Sequence, residues 1–356
     1  MSADAQITLS GSSGADNIRI SAILPNYNHG SLIGTAIKAL LEQVPPPDEI
    51  LVVDDASTDN SLALLRDMAL AIPALRVLAL DINLGAIGAL NRGLSEARGE
   101  YVYFGAADDR TLQGLFAQLL PLLEQNSTIA FASAEAIVVD VETGLTGLRP
   151  PIRPSDAPAV FSPEGVRDLF WNMDNWILTG AALIRRAMLN QVGGFDSRLG
   201  AQADGQVLRH LAFRHGAAFA PHLGLVWQIS SAGFSRSQAS NPEKSLDVLD
   251  FALRQLRDDD AVPDWYPLLY ERRWRFGLGR LAIMAEPINR EVLSRVAARD
   301  VLGGAVLGMA AAMGGKLGRF LALGWLVLRE RPMNLWLLAM TAIKRPKIRL
   351  DDFLRG

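Results

Sequence analysis

The sequence predicts an α/β fold: a mostly parallel, twisted sheet with helices on both faces, followed by a helical C-terminal region. Three observations carry this expectation. Short apolar runs alternate with helical patterns through the first half of the chain, the signature of β–α–β units. Acidic or amide residues close one apolar run after another. From about Asn241 the alternation stops, and long helical patterns with an increasingly basic character take over.

Taken in order, Arg19–Leu24 is an apolar run expected to stop at Pro25, since proline cannot donate to a central ladder. Ile33, Ile37, Leu40, Leu41 and Val44 share one helical face, ended by Pro45, Pro46 and Pro47. Glu49–Val53 is a strand running straight into Asp54 and Asp55. Ser57 or Asp59 is placed to cap the next helix, whose stripe is Leu62, Leu65, Met68 and Ile72. Arg76–Leu80 makes a third strand. Leu90, Leu94 and Ala97 mark another helix, with Gly99 suited to its left-handed closing position. Glu100–Phe104 is a fourth strand leading into Ala107, Asp108 and Asp109. The segment 112–123 reads as helix and 128–139 as strand. The proline-rich stretch 149–163 reads as a loop, after which Trp176–Leu189 and Val207–Phe213 supply further strand and helix.

The whole chain sets bounds on function. Its 356 residues can bury one large core plus a second unit. A hydrophobic share of 49% with 21% charged residues is that of a globular protein. The net charge of −3 gives no basic surplus for a nucleic-acid partner. With no cysteine, disulfides, thiolate chemistry and cysteine-ligated metals are excluded. A cytoplasmic location fits that composition. Residues 1–17 lack the basic start and apolar stretch of a secretory signal and read as a flexible leader.

In open parallel sheets, ligands bind outside the carboxyl ends of the strands. Four segments therefore stand out: Pro25-Asn26-Tyr27-Asn28, Asp54-Asp55-Ala56-Ser57, Asp81-Ile82-Asn83 and Ala107-Asp108-Asp109. Asp and Asn also favour strand ends for turn reasons alone. Tyr27 offers an aromatic face to a base, and a carboxylate accepts hydrogen bonds from base N–H or ribose hydroxyl groups. The adjacent carboxylates of Asp108 and Asp109 suit a hard divalent cation, Mn²⁺ or Mg²⁺, which takes oxygen ligands and shares them with substrate phosphates.

Residues 18–110 resemble the nucleotide-binding half of an inverting family 2 glycosyltransferase with the GT-A fold. The resemblance rests on ILPNYNHGSLIGTAIKALLEQ, EILVVDDASTDNS and NLGAIGALNRGLSEARGEYVYFGAADD in that order. It implies that Pro25 and Tyr27 line the base pocket and that Asp55 contacts the base with Asp54 beside it. It further implies that Asp108 meets the ribose and that Asp109 holds the metal against the diphosphate. Ala106 stands where the family often has the first aspartate of D-x-D. The resemblance continues over 176–216 through WILTGAALIRRAMLNQVGGFDSRLGAQADGQVLRHLAFRHG. An acidic residue shortly after the GGFD turn is the family's catalytic base, which points to Asp204. Asp196 is the competitor, better suited to shaping the turn, and Asp204 could alternatively cap the following helix.

Many relatives carry a histidine after the last strand, but here the stretch after Trp227 reads Gln228-Ile229-Ser230-Ser231. His222, following Pro221, reads as a loop residue, and His29, His210 and His215 show no ligand spacing. Trp171, Trp176 and Trp227 are candidates for stacking on sugars, with core packing the ordinary role for at least two.

Expected domains are therefore a GT-A unit over 18–240, divided at 110/111 into nucleotide and acceptor halves, and a helical region over 241–356. The expected reaction moves a sugar from a nucleoside diphosphate sugar, UDP-sugar being commonest in the family, to an acceptor hydroxyl with inversion. Its expected setting is polysaccharide or glycolipid assembly, with a carbohydrate or glycolipid as acceptor. Two rivals are a catalytically degenerate nucleotide-sugar-binding module and a sugar-phosphate nucleotidyltransferase. The latter needs a glycine-rich basic loop where this chain has PNYNHG. In the C-terminal region, Val301–Gly315, Phe320–Leu328 and Met333–Ile343 are apolar but too short to span a bilayer, and a basic cluster follows at 344–349. That pattern fits either peripheral contact with an anionic membrane face or packing as a homo-oligomer.

Overall fold

The computed structural model describes residues 19–230, 233, 242–297 and 301–330. Ten strands form one sheet in the order β3-β2-β1-β4-β9-β6-β10-β5, with β7 added to β6 and β8 to β10. The strands are β1 (Ile20–Asn26), β2 (Glu49–Asp54), β3 (Leu75–Ala79), β4 (Tyr101–Phe104), β5 (Arg110–Thr111), β6 (Phe131–Asp140), β7 (Thr146–Arg149), β8 (Ala159–Phe161), β9 (Ala182–Arg185) and β10 (Ala217–Ile229). β3, β2, β1 and β4 are mutually parallel. β9 runs antiparallel between β4 and β6, which returns β6 and its parallel neighbour β10 to the direction of β1.

The chain's helices cover both faces. α1 (Ile33–Leu41), α2 (Ser61–Ala71) and α4 (Leu115–Glu124) lie on one side, with Ile20, Ala22, Leu24, Ile50 and Val52 beneath them. α3 (Gly85–Glu96), α5 (Pro163–Asn172), α6 (Arg186–Gln191) and α7 (Ala203–His215) lie on the other, above Ile23, Leu51, Val102 and Phe104. Successive strand residues thus feed two cores, which is why β1 and β2 read as unbroken apolar runs rather than as an alternation.

β1 does not stop before Pro25. Pro25 is paired with Val53 and Asn26 with Asp54. Residues two apart in a strand direct their backbone groups to the same side. Ile23 sends its carbonyl to Gly105 on the β4 side, so Pro25 turns its missing donor to that side as well. The β1–β4 ladder ends at Ile23 opposite Phe104, leaving no bond for the proline to forfeit.

Two smaller expectations also fail. Gly99 does not close α3, whose cap residue Ala97 is extended. It is instead pressed on β1, where an added Cβ would lie 2.6 Å from the Ser21 nitrogen. α1 ends at Leu41, and Val44 lies beyond it, 72% exposed.

After residue 241 come α8 (Pro242–Asp258), α9 (Tyr266–Met284), α10 (Arg290–Ala297), α11 (Val301–Met313) and α12 (Gly315–Glu330). Val248, Leu249, Ala252, Leu253 and Leu256 of α8, with Tyr266 and Tyr270 of α9, belong to the core beneath α7. Leu278 and Ile283 of the same helix join Leu293, Leu307 and Leu326 in a separate cluster. α9 therefore ties the sheet domain to the terminal helices. No described helix is long and apolar enough to cross a membrane. The apolar run 333–343 and the basic cluster 344–349 lie outside the described residues.

Candidate active site

The carboxyl ends of β1 and β2 are locked together by side chains. Asn26 is buried and donates through Nδ2 to Asp54 Oδ2 at 2.9 Å and to Ser57 Oγ at 3.2 Å. Asp54 Oδ1 accepts from the Ser57 amide at 3.1 Å. Asn28 adopts a left-handed φ of 56° and its Oδ1 accepts from the amides of Thr58 and Asp59. The Asp54 carboxylate is thus fully engaged within the two loops. Tyr27, between Asn26 and Asn28, is 46% exposed, and Pro25 is half-buried at the strand end.

Asp55 is placed differently. It is buried, and its Oδ1 accepts from the Leu84 amide at 2.7 Å, which holds the turn before α3. No described residue engages its second oxygen. The Asp55 carboxylate therefore ties the end of β2 to the turn before α3 and keeps an acceptor for a ligand. Neither Ser57 nor Asp59 is the cap of α2, a position held by Asn60, although Asp59 accepts from the Ser61 amide at 2.9 Å.

The turn after β4 is anchored to β10. Asp109 Oδ1 accepts from the Gln228 amide at 2.9 Å, and Gln228 Nε2 donates to the Asp108 carbonyl at 2.6 Å. Burial, and then the neighbouring Asp108, push the Asp109 carboxyl up to about 7. Gln228 directly follows Trp227, in the stretch that holds no histidine, and nothing in its sequence context signals this role.

Asp204 lies in the first turn of α7, one residue past its start, and is not the cap; that position is Gln202. Its Oδ1 accepts from the Gly205 amide at 2.6 Å. Burial raises its carboxyl above the ordinary value, while the Gly205 amide, the nearby Thr179 hydroxyl and Arg209 pull it down. Thr179 and Gly180 form a 3-10 turn, Thr179–Ala181, just before β9. The Gly180 carbonyl accepts from the Tyr103 hydroxyl of β4 at 2.9 Å. That turn, with Thr179 near Asp204, is thereby tied to β4, the strand that Asp108 and Asp109 follow. Asp196, by contrast, caps a 3-10 turn over Ser197–Gln202 and pairs with Arg198.

Behind Asp204 is a buried ionic network that the sequence did not suggest. Asp174 meets Arg273 Nη1 at 3.2 Å, Arg209 Nε at 3.3 Å and the Tyr266 hydroxyl at 2.6 Å. Burial alone would raise this carboxyl, but Arg273 and Arg209 hold it at about 2. Arg209 also donates to the Gly205 carbonyl at 2.7 Å, so the network grips the first turn of α7.

His222 is not in a loop. It lies within β10 at the register shift between Phe219 and Leu223 that accommodates Pro221, and its Nε2 meets the Gln113 carbonyl at 3.1 Å. Trp176 is wholly buried among Phe131, Phe161, Phe170 and Phe219. Trp227 packs partly buried against the core beneath α1 and α4. Trp171 is 61% exposed, edge-on to Trp265. A cleft of about 640 Å³ runs along the far side of α7, lined by Phe195, Arg198, Gln206, His210 and Asp259 among others. It is remote from the strand-end aspartates in lining and chemistry, and His210 there is paired with Asp259 at 2.5 Å.

Residues 21–193 match the model of glycosyl transferase family 2. These residues are thus similar to a family 2 glycosyltransferase domain. The chain is 35% identical over 118 residues to the glycosyltransferase YibD of Escherichia coli, covering 33% of this chain and 34% of that protein. It is 31% identical over 122 residues to the teichuronic acid biosynthesis glycosyltransferase TuaG of Bacillus subtilis, covering 34% of this chain and 48% of that one. The matched stretch thus spans only between a third and a half of these curated relatives. Among solved structures, mannosyltransferase PcManGT from Pyrobaculum calidifontis, in complex with GDP-Man and Mn²⁺, superposes with a TM-score of 0.56 at 23% identity. That match covers 90% of this chain and 88% of the other. Staphylococcus aureus TarS 1-349 in complex with UDP-GlcNAc gives 0.59 at 17% identity, covering 88% and 92%. These structural likenesses establish the GT-A fold. The family match covers Pro25 through Asp109 but ends before Asp204.

Proposed function

We propose that the protein transfers a sugar from a nucleoside diphosphate sugar to an acceptor hydroxyl, with inversion at the anomeric carbon. The observation that carries this reading is the unengaged oxygen of buried Asp55 at the same sheet edge as the Asp108–Asp109 turn. Tyr27 and Pro25 would flank the base, Asp55 would accept a base N–H, and Asp108 would accept from the ribose. Asp54 would support this pocket indirectly by fixing Asn26 and Ser57.

Asp109 would hold a divalent cation, Mn²⁺ or Mg²⁺. The residues fit such an ion: two adjacent carboxylates, one driven up to about 7 by burial and by its neighbour, gain from a positive charge. No group of three His, Asp or Glu side chains suited to an ion converges among the described residues, so donor phosphates would complete the shell. When bound, the cation neutralises charge on the departing diphosphate. In the transfer itself, the acceptor oxygen bonds to the anomeric carbon while that carbon's bond to the diphosphate oxygen breaks. The electron pair leaves with the diphosphate, and Asp204 takes the acceptor's proton.

UDP is the favoured nucleotide, and the setting would be polysaccharide or glycolipid assembly. The terminal helices expose Val301, Phe320, Leu317 and Leu328 beside Lys316 and Arg319, which suits contact with an anionic membrane face or another subunit. The primary test is calorimetric titration of UDP and GDP with and without Mn²⁺, followed by slow hydrolysis of the preferred nucleotide sugar. Failure of every nucleoside diphosphate to bind would overturn the reading. Binding without any hydrolysis would point instead to a non-catalytic module.

A further inference from the structure

Arg149 ends β7, opposite Ala136 of β6, where the chain turns into the proline-rich segment. Its Nε is buried and has no hydrogen-bond partner. No carboxylate among the described residues lies within ion-pair distance of it. A buried guanidinium nitrogen left in that state costs free energy comparable to a lost charged hydrogen bond, so the arrangement calls for a compensating group. Its electrostatic neighbours are Arg209, Asp174, Arg280 and Asp204. Asp174 cannot compensate it, because both its oxygens are taken by Arg273, Arg209 and Tyr266. Asp204 is itself drawn toward its neutral form by burial. Arg149, Arg209 and Arg280 thus lie near two carboxylates, Asp174 and Asp204, the second of which is the residue assigned as the base. Arg280 is exposed, so the cluster opens to solvent on its side.

We propose that Arg149, with Arg280 at the open side, binds a phosphate group carried by the acceptor, next to the hydroxyl that Asp204 deprotonates. The proposal rests on the glycosyltransferase reading and deepens it by naming the acceptor class: an alcohol bearing a phosphomonoester or phosphodiester. Arginine is the side chain suited to this task, since its planar fork meets two phosphate oxygens at once. The donor's own diphosphate is accounted for elsewhere, at the Asp109 turn. An acceptor phosphate at Arg149 would supply the missing countercharge and fix the distance of the neighbouring hydroxyl from Asp204. It would also discriminate against neutral sugars, because the buried Nε stays unpaired when no anion arrives.

The test uses the full chain and sn-glycerol 3-phosphate as probe, followed calorimetrically in the presence of UDP and Mn²⁺. Wild type should bind it, should not bind neutral glycerol, and should bind inorganic phosphate more weakly. Arg149→Gln should weaken glycerol phosphate by about tenfold or more, as loss of a charge-assisted bond implies. Arg149→Lys should retain part of the affinity, and Arg280→Gln should lose less than Arg149→Gln. UDP affinity should stay within about twofold of wild type in all three, which also reports that they are folded. Equal binding of glycerol phosphate to wild type and Arg149→Gln, or no binding to wild type, would overturn the proposal. So would equal affinity for inorganic phosphate, which would make the cluster a free-phosphate site. A parallel fall in UDP affinity would assign Arg149 to the donor. Failure of wild type to bind any nucleoside diphosphate is a separate result, and it bears on the underlying reading alone.

Discussion

The backbone amide of Gln228 donates to Asp109 Oδ1 across 119 residues of sequence, at 2.9 Å. This bond, with the one from Gln228 Nε2 to the Asp108 carbonyl, fixes the acidic turn to β10, and no described residue hydrogen-bonds to the other Asp109 oxygen. It has a direct consequence for nucleotide binding. Asp109→Ala should abolish the Mn²⁺-dependent part of UDP affinity while leaving the metal-independent part. Gln228→Ala keeps the backbone donor and loses only the side-chain bond, so it should weaken Mn²⁺-dependent binding by only a few-fold. Calorimetry with and without the ion checks both. Equal affinities in wild type and Asp109→Ala with Mn²⁺ present would remove Asp109 from the metal site.

Asp204 gives a prediction in both rate and stability. A base must be ionised, and burial raises this carboxyl, so kcat/KM should climb with pH through an apparent pKa above the ordinary aspartate value. Asp204→Asn should lower transfer by about 10²- to 10⁴-fold, the range for loss of a general base, with UDP affinity retained. The raised folded pKa means that ionisation opposes folding as pH rises above the unfolded value. Asp204→Asn should therefore melt at or above the wild-type temperature at pH 7. A large drop in melting temperature would make Asp204 a structural residue instead.

Asp174 has the opposite sign. Its folded pKa of about 2 lies below the unfolded value, so its contribution is present above that unfolded value and disappears as pH falls toward 2. Replacing it with Asn leaves Arg209 and Arg273 buried without their shared carboxylate. Loss of one partner from a buried ion pair costs about 3–5 kcal/mol. Urea denaturation at pH 7 should show a loss of that order, and the gap from wild type should narrow as the pH is lowered toward 2. A gap that does not change with pH would mean the carboxylate's charge is not what matters.

Much of this was legible in the sequence, for reasons that separate one residue from another. Asp55 and Asp109 stand out because local chemistry, an acidic pair directly after an apolar run, repeats at a sheet edge whose position follows from β–α alternation. The segment around Tyr27 stands out through the family resemblance and its place at the end of β1. Gln228 does not, because its contacts come from an approach between distant segments that no local pattern encodes. Gln228 meets its partner only because β5 and β10 pair antiparallel at the edge, Val226 opposite Arg110. Pro25 was misjudged because the rule against proline in a central strand assumes neighbours along its whole length, and the β1–β4 ladder ends two residues earlier. Asp174 reads as an ordinary loop aspartate until α9 brings Arg273 and Tyr266 to it from almost a hundred residues away.

The same kind of long-range contact joins α3 to the turn that leads toward α7. Asn91 of α3 donates through Nδ2 to the Phe195 carbonyl at 2.7 Å and accepts from the Phe195 amide at 3.0 Å. It thereby pairs with backbone as a strand would, at the GGFD turn that leads into α7 and Asp204. Gly194 is packed so close that an added Cβ would lie 2.8 Å from the Asn91 Oδ1 atom, at a φ of 75° that itself favours glycine. Asn91→Ala removes both bonds and leaves a part-buried amide and carbonyl unpaired, a cost of about 1–3 kcal/mol for each group left without a partner. If the contact also sets the position of Asp204, kcat should fall while the UDP dissociation constant, governed by the β1, β2 and β4 ends, stays near wild type. Asn91→Asp tests the geometry separately, since it preserves the acceptor for the Phe195 amide but loses the donor to the carbonyl, and it should fall between the two. A variant with wild-type kcat and only reduced stability would confine Asn91 to holding α3 to that turn, with no bearing on where the base stands.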